Sequence, residues 1–307
     1  MLFNFASADA SAGDPLVGRN DNPRWGVDSE YGRLTDVMLS APRHLELVPC
    51  NAVSIENHRN GVTCSADIAD EQHSRLVRAL EAEGVRCHLV PPAEGLPDLS
   101  FTRDATLMSP WGLIALNPAV DHRLAEVEHV RAAVQGWDVP LCGAIEGGRL
   151  EGGDVCLLRP GLIAIGYSGE RTDDAGARAL AKMFEQNGWS ATLTRFDRRF
   201  LHLDTLFTLA DRDLAVACVD ALEPEFLRQV RELGIEMIEV TVGEVQKLGG
   251  NLLSLGERRV VSSADNHRIN ALLERRGYKV VRVEIDQFTR CGGGMHCLTM
   301  PLARLPG

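Results

Sequence analysis

A short phrase recurs about every 50 residues in this chain, and each time it sets a chemically capable side chain in one register. The copies read FTRDATLM (101–108), EGGDVCLL (151–158), HLDTLFTL (202–209), LGGNLLSL (248–255) and MHCLTM (295–300). Aligned on the apolar run that follows, the register holds Asp104, Asp154, Asp204, Asn251 and Cys297, at steps of 50, 50, 47 and 46 residues. Any one of these aspartates alone reads equally well as turn chemistry. Three in register with a thiol and His202 read as a nucleophilic site, with Cys297 as nucleophile and His202 as its acid/base partner. The glycines Gly292-Gly293-Gly294 before Cys297 permit close backbone approach and are expected to expose the thiol. The alternation in His202-Leu203-Asp204 would put the imidazole and carboxylate on one face of a strand.

Carboxylates crowded around a thiol repel its thiolate and raise its pKa. They make sense if the substrate brings positive charge. A guanidinium is planar, keeps its proton and offers a fork of N–H donors to carboxylates. Its central carbon is open to thiolate attack. A hydrolytic metal site built from the same Asp, Glu and His is the chemical rival. The cysteine in the register favours nucleophilic catalysis, and neither a metal nor a cofactor is expected.

The elements that must position these groups repeat as well. After each phrase comes a turn and a second apolar run (LIAL, LIAI, LAVA, RVVS), which reads as a β-hairpin. Helical stretches follow near 121–135, 173–187, 224–233 and 266–276, with N-terminal signals at Asp121, Thr172, Pro224 and Asp265. Gly136, Gly188, Gly234 and Gly277 stand where each helix needs a left-handed residue to stop. A β-branched or aromatic run comes next, so the unit is strand–strand–helix–strand. The last unit is split: 297–300 supplies its first strand, Leu34–Ser40 its second, and a helix near 67–83 with a strand at 85–90 completes it. Residues 50–65 fit no unit and are expected to be loop. Residues 1–32 form an N-terminal extension, with a candidate lid near 14–30, and 33–307 a single catalytic domain.

Composition narrows the class. With 45% hydrophobic and 24% charged residues the chain has ordinary globular character. A net charge of −11 without a basic stripe argues against nucleic acid and suits a cationic small molecule. No apolar run is long enough for a membrane span, and the first residues lack a secretory pattern. The eight cysteines form no CxxC pair, so a reduced, cytoplasmic protein is expected. Cys291 reads as packing or as half of a regulatory disulfide.

FTRD (101–104), EGGD (151–154), HLD (202–204) and GGGMHC (292–297) together resemble, in order and spacing, the guanidino-group-modifying enzymes of the pentein fold. That superfamily includes arginine deiminase, dimethylarginine dimethylaminohydrolase, agmatine deiminase and the amidinotransferases. The resemblance spans about 33–301 and implies an α/β fold: a five-bladed α/β propeller of pseudo-fivefold repeats, its last blade closed by the N- and C-terminal segments. It implies Cys297 as nucleophile, His202 as general acid and then base, and Glu151 acting beside His202. Asp104 and Asp204 would hold the guanidinium, with Asp154 mainly structural. Arg123 and Arg171 resemble arginines that bind a substrate α-carboxylate, and Asp98 resembles a contact to an α-amino group. The implied reaction is hydrolysis of arginine or an Nω-methylated arginine to citrulline plus ammonia or an alkylamine. FTRD resembles the deiminase. The 64 residues between Ser40 and Asp104, however, leave no room for the deiminase's extra helical domain, and this favours the dimethylarginine enzyme. An amidinotransferase and a non-enzymatic binding module of the same fold are the alternatives, and a homodimer is a candidate assembly.

Overall fold

The computed structural model describes residues 24–307. In chain order its elements are β1 (Arg33–Ser40), α1 (Ala52–Arg59), α2 (Ala66–Ala82) and β2 (Arg86–Val90). A second group is β3 (Thr106–Ser109), β4 (Gly112–Ala115), α3 (Asp121–Gln135) and β5 (Leu141–Ala144). Next come β6 (Val155–Arg159), β7 (Leu162–Tyr167), α4 (Asp174–Glu185) and β8 (Ser190–Arg195). They are followed by α5 (Leu203–Leu206), β9 (Phe207–Asp211), β10 (Leu214–Ala217), α6 (Pro224–Glu232) and β11 (Glu236–Glu239). The chain then forms α7 (Val242–Val245), β12 (Leu253–Gly256), β13 (Arg259–Ser263), α8 (His267–Arg275) and β14 (Lys279–Val283), and finally α9 (Asp286–Arg290) and β15 (Met300–Leu305).

Among the described residues the strands form five mixed three-stranded sheets: β15-β1-β2, β3-β4-β5, β6-β7-β8, β9-β10-β11 and β12-β13-β14. In each, an antiparallel pair is extended by a parallel third strand reached through a helix. This is the expected strand–strand–helix–strand unit. The central strands are mostly buried, as in Ile163–Gly166 of β7 and LAVA of β10, because helices and neighbouring sheets cover both faces. The split unit is present: β1 pairs antiparallel with β15, Val37 opposite Pro301 and Met38 opposite Met300.

Several local expectations are corrected. Residues 50–65 are not all loop, since α1 starts at 52 behind an Asn51 capping box, in which Asn51 and Ser54 exchange side-chain-to-backbone bonds. The strand expected at 297–300 begins only at Met300; Cys297 sits in the turn before it. Helix α4 is capped by Asp173, not Thr172. Gly188, Gly234 and Gly277 do take positive φ, but Gly136 stays at −69° and Asp138 adopts φ 57° instead. Asp tolerates this conformation because its short polar side chain can bond locally. Of the candidate lid, residues 14–23 lie outside the described residues. Trp25, Val27 and Tyr31 are core residues, and Gly26 bridges to Ala303. No helix among the described residues is long and apolar enough to cross a membrane.

Candidate active site

The register residues meet because each ties its unit to the next. Asp104 Oδ1 accepts from the Gly153 amide at 3.0 Å. Asp154 Oδ1 accepts from the Leu203 amide at 2.8 Å. Asn251 Oδ1 accepts from the His296 amide at 2.8 Å. In all three cases the donor is the residue just before the next register position. A buried charged or polar acceptor on a backbone N–H is among the stronger protein hydrogen bonds, and here it locks neighbouring loops around one centre. Asp204 breaks the pattern. Its carboxylate takes His296 Nδ1 at 2.9 Å and faces Cys297 Sγ at 3.4 Å, both through Oδ2, while the buried Oδ1 has no protein partner.

Cys297 lies between the fully buried Met295 and Leu298. Burying such side chains is worth about 1.5–3 kcal/mol each, so the turn is anchored on both sides of the sulfur. The thiol is 2% exposed, not exposed as the glycine run suggested. The glycines serve close packing instead. A Cβ on Gly292, Gly293 or Gly294 would lie 2.5 Å from Asn51, 2.0 Å from the Phe101 ring or 2.5 Å from Asn251. Asn251 Nδ2 also reaches Cys297 Sγ at 3.4 Å. Burial, with Asp204 and Asp104 nearby, pushes the thiol well above its ordinary pKa.

His202 is not on a strand. It is the extended residue that starts α5, and Asp204 lies within that single helical turn. Its Nε2 pairs with Glu151 Oε2 at 2.8 Å, while Nδ1 lies 3.8 Å from Asp104 Oδ1 with no hydrogen-bond partner. Burial alone would lower the His202 pKa, but Asp104, Asp154 and Glu151 outweigh it and lift it to about 10. The ring is therefore an imidazolium at neutral pH, with one N–H free. Glu151 is fully buried; burial favours its neutral form, but Arg171, His202 and Arg123 hold it well below the usual carboxylate range.

The remaining expected residues lie here too. Arg123 Nη1 binds Asp104 Oδ2 at 2.6 Å, and its Nε and Nη2 fork onto Glu126. Arg171 Nη1 lies 3.3 Å from both Glu151 oxygens, and its Nη2 donates to the Cys50 carbonyl at 2.8 Å. Asp98 Oδ2 pairs with His122 Nε2 at 2.7 Å. One cavity is lined by Cys297, His202, Asp104, Asp98, Arg123 and Arg171, with Cys50, Asn51, Phe101, Leu201, Cys291, Gly292 and Gly293 completing its wall. Glu151 stands behind His202, Asp204 beside the sulfur, and Asp154 in the interunit lock.

Sequence reasoning passed over His296, Glu126 and Cys50, and gave Asn251 a register position but no role. Asn251 was in the register, and His296 adjoins Cys297, so both carried a signal. Glu126 carried one only as the residue one helical turn beyond Arg123. Two groups of side chains have metal-compatible donors, Asp104–Glu151–His202 and Cys50–Asp98–His122. In the first, Arg123 and Arg171 already neutralise the carboxylates and His202 is cationic; in the second, the Arg171 guanidinium lies 3.3 Å from Cys50 Sγ. In both clusters a guanidinium already holds a donor that a metal would need.

Residues 49–304 match the family described as N,N dimethylarginine dimethylhydrolase, eukaryotic. The N(G),N(G)-dimethylarginine dimethylaminohydrolase of Pseudomonas aeruginosa is 29% identical over 234 residues, 75% of this chain and 87% of that protein. An arginine deiminase of Streptococcus equi subsp. zooepidemicus is 30% identical over 259 residues, 68% of this chain but only 61% of its own length. The structure of a cysteine-to-serine mutant of the Pseudomonas enzyme, complexed with citrulline, superposes with a TM-score of 0.73 at 25% identity, covering 87% of this chain and 99% of that one.

Proposed function

The chain belongs to the N,N dimethylarginine dimethylhydrolase family of guanidino-modifying pentein-fold hydrolases, and from that premise we propose that it hydrolyses an Nω-methylated arginine to citrulline and an alkylamine. It is a hydrolase of C–N bonds in linear amidines. In this reading the five sheets are blades of a five-bladed α/β propeller, with residues 33–307 as one catalytic domain.

The observation that carries the substrate class is the unpartnered, buried Oδ1 of Asp204, on the carboxylate that faces the Cys297 thiol. A buried acceptor left unmade costs about 1–3 kcal/mol or more when charged. In this reading, a guanidinium held over Cys297 donates to that oxygen and brings the positive charge the thiol needs. Asp104, held by the Gly153 amide and by Arg123, adds negative potential on the other side. Arg123 and Arg171 then meet the substrate α-carboxylate and Asp98 its α-amino group.

The steps follow from the charges. The bound cation offsets Asp204 and Asp104, so the thiol gives its proton to solvent in the complex rather than in the free enzyme. Thiolate attack on the guanidinium carbon gives a tetrahedral adduct. The free Nδ1–H of the His202 imidazolium protonates the departing amine, and the C–N bond breaks. The neutral imidazole next takes a proton from water, which attacks the Cys297 amidino thioether. Collapse breaks the C–S bond and releases citrulline, and the proton lost from its new hydroxyl oxygen returns Cys297 to the thiol, with His202 again an imidazolium. Glu151 fixes the ring and stabilises its charge.

The test is to supply asymmetric dimethylarginine, monomethylarginine and arginine separately, without an added amine, and to quench the reaction for intact-mass analysis. Citrulline with dimethylamine, and an adduct on Cys297 absent from Cys297→Ser, is the expected result. Citrulline from arginine alone would move the substrate to the deiminase class. A requirement for an added amine would mean amidino transfer.

A further inference from the structure

We infer that Cys64 and Cys291 form a peroxide-driven disulfide that reversibly disables the nucleophile turn. Their sulfurs are 3.3 Å apart although the residues lie 227 positions apart in sequence. A disulfide needs about 2.05 Å, so closure requires a sulfur displacement of about 1.3 Å.

The two thiols hold different positions. Cys64 is half-buried in the connection before α2, next to exposed Thr63, whose carbonyl is bound by Arg290. Cys291 is buried at the end of α9, and its carbonyl is gripped by Asn51 Nδ2 at 2.8 Å. Both sulfurs approach the Gln287 carbonyl, so they share one polar niche. Either sulfur can donate in this contact, and the hydrogen bond with Cys291 draws the Cys64 pKa below the ordinary thiol value. Cys64, the more exposed of the two and beside exposed Thr63, is the peroxide-reactive thiol, and buried Cys291 the resolving one. Cys297, buried among carboxylates, stays a thiol and reacts slowly.

The chemistry balances with hydrogen peroxide as oxidant. The Cys64 thiolate attacks one peroxide oxygen, the O–O bond breaks, and hydroxide leaves as water after protonation. Cys291 sulfur attacks the Cys64 sulfenic acid, the S–O bond breaks, and a second water leaves. The two thiols lose two electrons to the peroxide, and a dithiol reverses the reaction.

The consequence lies six residues on. Cys291 precedes Gly292 and Gly293, where even a Cβ would stand 2.5 Å from Asn51 or 2.0 Å from Phe101, so the segment is packed closely. Movement of about an ångström at Cys291 is passed to the turn carrying Cys297, and misplacement of that size can cost about 100-fold in rate.

This inference rests on the proposed hydrolase activity for its functional half only. Purified, reduced wild type and Cys64→Ser are treated with hydrogen peroxide, then assayed for citrulline before and after dithiothreitol. Each sample is blocked with iodoacetamide and peptide-mapped without reduction. We expect a 64–291 linked peptide in wild type, a loss of rate of at least about 10-fold that dithiothreitol restores, and Cys64→Ser untouched by the same dose. No linked peptide, a linked peptide with unchanged rate, or equal loss in Cys64→Ser each overturns it. Cys64→Ala serves in place of Cys64→Ser if the latter folds poorly. Absence of turnover in untreated wild type would instead strike the proposed function, and the peptide map would still report the disulfide.

Discussion

Asn251 holds the turn of Cys297 from two sides: its Nδ2 lies 3.4 Å from the sulfur and its Oδ1 accepts the neighbouring His296 amide at 2.8 Å. Asn251→Asp keeps the acceptor but replaces the donor with a third negative charge beside the thiol. Citrulline formation should fall by about 100-fold, and the pH midpoint for alkylation of Cys297 should rise. An unchanged midpoint would mean that the amide does not act on the sulfur.

Glu151 is one of the charges that lift His202 to about 10. Glu151→Gln removes it, so the imidazolium should lose its proton about one pH unit earlier. The alkaline limb of kcat/KM against pH should move to lower pH by that amount. A Glu151→Gln profile that overlays the wild type would show that Glu151 does not tune the ring.

Asp154 is fully buried, and burial raises its pKa to about 7, against about 3.9 in an unfolded chain. The folded state therefore binds the extra proton. The stability this provides is fully present below about pH 4 and is lost as pH rises through about 7. Asp154→Asn retains the acceptor for the Leu203 amide. It should flatten the fall in melting temperature between these pH values, read by scanning calorimetry. Part of the slope should survive, because burial raises Glu126 to about 7 as well.

Gly153 touches the ring of His202: a Cβ there would stand 2.6 Å from Nδ1 and 2.7 Å from Cγ. Gly153→Ala must push the imidazole off Glu151 or Asp104. The expected loss is about 10- to 100-fold in kcat, with far-ultraviolet circular dichroism unchanged. Wild-type kcat in that variant would show the ring has room to spare.

The repeat was legible because one arrangement is built several times, and repetition shows in spacing even when each copy is weak. Asp104, Asp154, Asn251 and Cys297 were all found that way, and so was the split unit. The different uses of the register were not legible. Nothing in the residue types shows that Asp104 and Asp154 hold backbone amides while Asp204 faces His296 and Cys297; that depends on partners about 50 residues or more away. Burial of Cys297 was misjudged because a glycine run reads as freedom, whereas here Asn51, Phe101 and Asn251 occupy the space a Cβ would need. The short turn at His202 was missed because alternation over three residues cannot tell a strand from an extended residue entering a helix.

The pairing of β1 with β15 has a bearing on when the protein comes to life. A polypeptide still emerging from the ribosome with four units made owns the acids, the imidazole and both arginines, yet has neither the sulfur nor the strand that zips Val37 against Pro301. In the proposed reading, catalysis waits until residues 297–305 have been made, and a transcript cut upstream of Met300 leaves β1 with a bare edge rather than a weakened enzyme.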